Sequence, residues 1–428
     1  MSAVPNFALP GGDPRFAPAA LPDAPQGLRF AGDSGGFVGL LARGAALELA
    51  TFGFYRFWLA TAMRRHLWAA TSLDGDALEY TGRARELFVG FLIGLAIIGP
   101  LAVVNFLLGI YAENLQAFAS LPLGLFYFVF TQFALYRARR YRLTRTVWRG
   151  VRFWMAGSGW RYGWSSFGWL LLVIATAGIA YPWRAAALER YKMRHTYYGD
   201  LQGGFVGAGG ALFKRVWWIW LMVVVSALAV GAIAATVART SVGSGRAGAG
   251  LAVEAAAGFG MLAVLIVALI GYPLFRASEW RWWASGLRFG GVAFASSLPR
   301  RSVLVLYVKT AVMSFIVTTA AAVVLASTVV IGAALIGVKL SGLAHFDAIG
   351  GVVFNNYLGL AAIVFAYLVI ALAALCVQRY YLQHELWRLM ADHLTVSGLS
   401  AASTVAARGA ADTAIGEGLA DGLDVAGF

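Results

Sequence analysis

The chain has 428 residues, of which 60% are hydrophobic and 13% charged, and its mean hydropathy of +0.72 leaves more apolar surface than a water-soluble domain can bury, so the composition points to a polytopic membrane protein. A net charge of +14 would suggest nucleic acid in a soluble protein, but the arginines gather beside apolar spans, as in "RARRYRLTR" (Arg137–Arg145), where the positive-inside rule already requires them. Nucleic acid is therefore set aside as a partner, the bilayer and its anionic headgroups take its place, and the single Cys376 excludes an internal disulfide framework.

In chain order, residues 1–26 are Pro, Ala and Gly with scattered charge and no apolar h-region, so they read as a disordered cytoplasmic tail and not as a signal peptide. A first unit, 27–136, opens on "LRFAG", continues through the apolar stretch Phe37–Tyr55 and the basic sequence after it, and reaches "LEYTG". Two stretches long enough to cross a bilayer follow, Leu87–Tyr111 and Phe118–Tyr136. A second unit, 137–275, repeats the order with "VRFWMAG", the stretch Trp164–Trp183, a basic helix, "GGFVG", and the spans Val216–Ala238 and Ala255–Phe275. A degenerate third unit, 276–398, starts near "LRFGGVAFASSL" and holds the spans Val303–Val338 and Val352–Val377. Residues 399–428 read as a flexible tail. The aromatic-glycine pieces read as small strands.

The first two units align without a gap. Gly32 matches Gly157, Thr51 matches Thr176, Gly53 matches Gly178, Trp58 matches Trp183, Arg65 matches Arg190, Thr71 matches Thr196 and Gly82 matches Gly207. Charge then decides the expected topology. If Trp164–Trp183 crossed, one of its two basic flanks would lie outside, and every later basic loop would flip with it. If neither repeated stretch crosses, six spans form three hairpins, every basic loop and both termini are cytoplasmic, and the outer turns 112–117, 239–254 and 339–351 are weakly charged. The expected fold is thus an all-α polytopic membrane protein with about six transmembrane helices in three hairpins. Duplicated interfacial or re-entrant helix elbows and short cytoplasmic strands complete it, and the alternative has eight spans.

The order of these elements resembles the YjgN-like family of bacterial inner-membrane proteins. The resemblance rests on "TRTVWRGVRFWMAGS" and "TAGIAYPWRAAALERYKMRHT" in the second unit, with Thr176, Gly178, Pro182, Trp183, Arg190, Tyr191 and Thr196 in the motif positions. The first copy has Phe57 where the family's proline would be, and the third lacks the Thr-x-Gly/Pro-Trp signature. The resemblance covers roughly 29–298, with a weaker tail that includes "QRYYLQHELWRLMADHL". It implies a bacterial inner-membrane location and a multi-pass architecture, and no reaction, because the family is a domain of unknown function.

Two groups of residues come out of the repeat. Thr51, Gly53 and Trp58 in one copy, and Thr176, Gly178, Pro182 and Trp183 in the other, would build the elbows: Gly relieves the turn, Pro182 fixes the next helix start and Trp anchors the interface. Beyond them Arg64, Arg65 and Trp68, with Arg184, Arg190 and Lys192, form a candidate collar for anionic headgroups. Asn105, Gln132 and Lys309 are the polar residues inside apolar runs, and Lys309 is close enough to Arg301 to snorkel to the interface. Other motifs carry no chemistry. "GDSGG" at Gly32–Gly36 lacks the fold of a serine hydrolase and reads as a flexible turn, and "GSGRAG" at Gly243–Gly248 reads as a linker in an outer turn. His384 and His393 match no metal-ligand spacing, and no catalytic constellation, metal or cofactor is expected. The leading expectation is a non-enzymatic inner-membrane protein that binds or moves an anionic or lipid-like solute. A membrane scaffold or assembly factor, and a membrane-embedded enzyme, are the alternatives.

Overall fold

The computed structural model describes residues 24–111, 113–244, 248–335 and 357–409. It is mostly helical, but the expectation of an all-α protein is corrected by its antiparallel sheet. The strands are β1 (Gln26–Gly27), β2 (Arg29–Phe30), β3 (Thr71–Leu73), β4 (Asp76–Ala77), β5 (Glu79–Tyr80), β6 (Thr146–Trp148), β7 (Val151–Met155), β8 (Thr196–Tyr198), β9 (Leu201–Phe205), β10 (Leu287–Phe289), β11 (Val292–Ser296) and β12 (Leu394–Ser397). Their pairings close on themselves. One run of pairs goes from β5 through β11 to β12 and on to β1, and a second joins β2, β3 and β4. Only Leu28 separates β1 from β2 and only Leu78 separates β4 from β5, and each of those residues keeps a backbone bond to its neighbour, Leu28 N to Leu394 O (3.0 Å) and Leu78 N to Thr71 O (2.9 Å). Among the described residues the two runs are thus joined end to end through Leu28 and Leu78 into a small barrel of hairpins.

The same register recurs at every junction between hairpins. Tyr80 pairs with Thr146, Met155 with Thr196, Phe205 with Leu287, Ser296 with Leu394, and Phe30 with Thr71. The hairpin turns are tight, with Asp74–Gly75 and Arg149–Gly150 all at positive φ, as a two-residue turn between right-twisted strands requires. Inside the barrel Trp148, Tyr198, Val292 and Val396 are buried together, with Leu28, Leu73, Phe153 and Phe289 packed on them. The 399–409 segment, expected to be flexible, is recruited to this core. Leu399 and Ala402 are buried in it, and Ala406 N donates to Asp200 Oδ1 at 3.1 Å. The apolar side chains of "LSAAS" explain why this part of the tail leaves solvent.

Helix pairs alternate with the hairpins. They are α1 (Ser34–Ala50) with α2 (Arg56–Ala69), α3 (Ala84–Tyr111) with α4 (Glu113–Thr144), α5 (Gly159–Ala175) with α6 (Tyr181–Arg194), and α7 (Gly209–Ser244) with α8 (Gly248–Gly286). The last pair is α9 (Arg300–Leu335) with α10 (Tyr357–Gln378), which continues through a π-helical segment, Arg379–Glu385, into α11 (Leu386–Asp392). Consecutive helices pack on one another, and α10 returns to α1, so the helices ring the barrel. Each helix that enters a hairpin carries an arginine six residues before the first strand residue: Arg65, Arg140, Arg190, Arg281 and Arg388.

Five of the described helices are long and apolar enough to cross a membrane: α3, 209–236 of α7, 258–286 of α8, 300–327 of α9, and the run 364–392 from α10 into α11. The expected second arm of the first hairpin, Phe118–Tyr136 in α4, is not among them. The repeated stretches do not continue as single helices either. α1 and α5 are 17 residues each and stop at Thr51 and Thr176. "GDSGG" is not a free turn, because Asp33 caps α1 by accepting from Gly35 N (2.9 Å) and Gly36 N (2.8 Å), and Ser34 is already helical. The expected outer turn 339–351 and residues 245–247 of the "GSGRAG" linker lie outside the described residues.

Candidate functional site

Thr51 and Gly53 make one turn, and Thr176 and Gly178 make its twin. Gly53 N donates to Glu48 O at 2.7 Å and Phe52 N to Leu49 O at 3.3 Å, which is a Schellman arrangement with Phe52 in the left-handed region at φ +51°. In the second turn Gly178 N donates to Val173 O at 2.7 Å and Ala177 N to Ile174 O at 3.0 Å, with Ala177 at φ +48°. Each threonine bridges the break. Thr51 Oγ1 donates to Leu47 O (2.7 Å) and accepts from Tyr55 N (3.0 Å); Thr176 Oγ1 donates to Leu172 O (2.8 Å) and accepts from Ala180 N (3.1 Å). Pro182 occupies the first turn of α6, where its missing N–H costs nothing. The second turn is also tied to α7, since Trp220 Nε1 donates to Ala177 O at 2.8 Å.

Around the first elbow the structure forms a basic, aromatic cavity of about 510 Å³. Tyr55, Trp58, Thr61, Arg65, Arg83 and Arg85 line it. Trp58 is half-exposed, stacks on Tyr55 (6.2 Å, 12° between planes) and leans on Phe88 (5.9 Å). Arg65 Nη2 is anchored on Gly82 O at 2.8 Å. That carbonyl is close because Gly82 lies under the Tyr80 ring, where a Cβ would stand 2.5 Å from the phenol oxygen. Arg83 and Arg85 sit at the start of α3, whose unpaired N–H groups add positive potential. Among the described residues no carboxylate lines the cavity. Three guanidiniums beside an aromatic shelf can hold a phosphate by paired N–H···O bonds while the rings meet acyl or glycerol carbon.

The rest of the expected collar is divided among other tasks. Arg64 is buried, with Nη1 donating to Tyr80 Oη at 3.3 Å, and Trp68 is stacked on Trp387 (4.7 Å) while its Nε1 donates to Thr146 Oγ1 (3.0 Å). Both root the helix in the barrel and do not line the cavity. In the second copy Trp183 packs on Phe213 (5.5 Å), Arg184 Nη2 donates to Ser166 Oγ (3.0 Å), and Arg190 is exposed. Lys192 is ion-paired with Glu189, which also accepts from Arg139 Nη1 (3.0 Å) and Trp283 Nε1 (2.6 Å). Burial alone would raise the Glu189 pKa, but Lys192 and Arg139 outweigh it and hold the carboxyl down at about 2.

The candidate intramembrane polar residues do not meet. Asn105 lies on α3, Gln132 on α4 accepts from Ser166 Oγ at 3.2 Å, and Lys309 is exposed on α9, with no hydrogen bond joining them among the described residues. His384 is buried beside Glu385 (3.0 Å), whereas His393 Nδ1 lies 2.9 Å from Leu389 O. Among the described residues no group of three or more His, Cys, Asp and Glu could hold a metal. Sequence reasoning missed Arg83 and Arg85, which look like ordinary positive-inside residues at a span start.

A ring of helices rooted on a small β-barrel, with five helices apolar enough to cross a membrane, fits a membrane-embedded protein. A family model described as a bacterial protein of unknown function (DUF898) matches residues 25–422, and the chain belongs to that family, the one its repeated motifs resemble. No curated protein and no solved structure matches the chain.

Proposed function

We propose that this is a multi-pass bacterial inner-membrane protein that binds the phosphate of an anionic amphiphile in the Trp58 cavity. The observation that carries this reading is the lining itself: Arg65, Arg83 and Arg85 beside Trp58 and Tyr55, with no carboxylate among them. In this reading α3 with α4, α7 with α8, and α9 with α10 are three spanning hairpins, and the barrel with its arginines is cytoplasmic. The elbows are re-entrant. A helix of 17 residues is about 25 Å long, against roughly 30 Å of hydrocarbon, and α1 and α5 start at the barrel and not at the membrane surface. Their tips carry exposed apolar side chains, Phe52 and Phe54 on one and Ile174 and Ile179 on the other, which suits lipid contact. The backbone at the tips is satisfied internally, as membrane depth requires.

Binding is favoured over transport because Asn105, Gln132 and Lys309 provide no convergent polar path. The test is native mass spectrometry of lipid co-purified with the protein. Replacing Trp58 by Ala together with Arg83 and Arg85 by Gln should strip anionic phospholipid and leave phosphatidylcholine retention unchanged. An unaltered lipid profile in a folded variant would sink the proposal and leave a scaffold role.

A further inference from the structure

A second cavity, of about 260 Å³, lies where α7, α8, β11 and α9 meet, and Arg215, Ser278, Arg281, Ser285, Ser296 and Arg300 line it. It occupies in its unit the place the Trp58 cavity holds in the first. With the strand starts Thr71 and Leu287 taken as equivalent, Arg281 stands at the position of Arg65, Ser278 at that of Ala62 and Arg300 at that of Ala84. All six of these residues line one cavity or the other. The aromatic shelf is gone, because Gly271 and Leu274 stand at the positions of Tyr55 and Trp58. Two alanines have become a serine and an arginine.

Three guanidiniums around one cavity repel unless an anion joins them. Among the described residues, Arg215, Arg281 and Arg300 have no carboxylate partner, and Arg300 Nε is buried without a hydrogen bond. The acidic residue closest in sequence to this cluster on α8, Glu279, is occupied by the Tyr181 hydroxyl (2.9 Å) and by Arg276. Ser278 and Ser285 spend their protons on Leu274 O (2.7 Å) and Trp282 O (3.0 Å), while Ser296 Oγ accepts from Leu298 N (3.3 Å), which leaves its own proton to donate. The volume falls just short of the roughly 300 Å³ at which small-molecule pockets begin, so it suits a phosphate group and not a whole amphiphile.

We infer that this cavity is a phosphate-binding site, taking either inorganic phosphate or the terminal phosphate of a phosphatidic-acid-type headgroup. The protein in neutral detergent is titrated with inorganic phosphate by calorimetry, against chloride at equal ionic strength. In parallel, native mass spectrometry reads phosphatidic acid retained from nanodiscs of phosphatidylcholine with and without that lipid. Arg281→Gln and Arg300→Gln should each weaken phosphate binding roughly tenfold or more, as expected for loss of a charge-assisted bond. Ala295→Glu, at an exposed position on the cavity wall, places a carboxylate among the arginines and should abolish binding without threatening the fold. Trp58→Ala should leave this site unchanged, which separates it from the cavity at the first elbow. Phosphate binding identifies a free-anion site; phosphatidic acid retention that Ala295→Glu removes, without phosphate binding, identifies a headgroup site. If neither ligand binds better than its control, or if folded Ala295→Glu protein binds as well as the native chain, the inference is overturned.

Discussion

Glu189→Gln removes one charge from a knot that ties α6 to α4 and α8. In the native chain the Glu189 side chain is 7% exposed and is held by Lys192, by Arg139 Nη1 at 3.0 Å and by Trp283 Nε1 at 2.6 Å. Its pKa falls from 4.5 to about 2 despite burial. At 1.36 kcal/mol per unit that is about 3 kcal/mol of stability, within the range measured when one member of a buried pair is removed. The sign follows from the depressed value: the unfolded chain binds the proton first, so the contribution is complete above about pH 4.5 and fades as the pH falls toward 2. Thermal melting of the detergent-purified protein at neutral and acid pH reads both effects. For a chain of this length about 3 kcal/mol corresponds to a drop of several degrees in the apparent Tm at pH 7, and the gap between variant and native protein should narrow as the pH falls. A variant that melts with the native protein at pH 7, with the same acid dependence, would refute the reasoning.

Substitutions at two further places test the helical ring. Ala177 sits at φ +48°, where a Cβ costs roughly 1 kcal/mol, so Ala177→Gly should raise the apparent Tm slightly in the same melting assay. Arg379 holds Glu48 through two bonds of 2.8 and 2.9 Å, joining the first elbow to the last helix, and the Glu48 side chain is 1% exposed. Glu48→Leu or Arg379→Leu alone should cost about 3 kcal/mol or more, while the double change Glu48→Leu with Arg379→Leu should recover much of the loss, as a double-mutant cycle would report.

What could be read in advance depended on how local the signal is. The breaks after α1 and α5 are legible because Thr, Gly and Trp recur at a fixed spacing, and the aromatic-glycine pieces form strands, with the rings of Phe30, Tyr80 and Phe205 over the glycines two residues on. Closure of the barrel was not legible: it needs Gln26 and Gly27 to pair with Val396 and Thr395, a contact that spans nearly the whole chain. The same blindness hid the fate of Leu399 and Ala402, whose burial has meaning only once the barrel exists. The expected collar is divided because sequence shows charge and not partners. Lys192 is spent on Glu189 and Arg184 on Ser166, while Arg83 and Arg85, which no sequence motif singles out, line the cavity.

The re-entrant elbows are the core of the account, and single-cysteine accessibility tests them most directly. With Cys376 replaced by Ser, cysteines at Ala77, Arg149, Asp200 and Ala295 put one exposed thiol on each of four hairpins that the helix pairs separate. A membrane-impermeant maleimide should label none of them in intact cells and all of them in inside-out vesicles. Labelling of Asp200 in intact cells, with Arg149 still protected, would mean that the α5 and α6 segment crosses the membrane, and it would contradict the account.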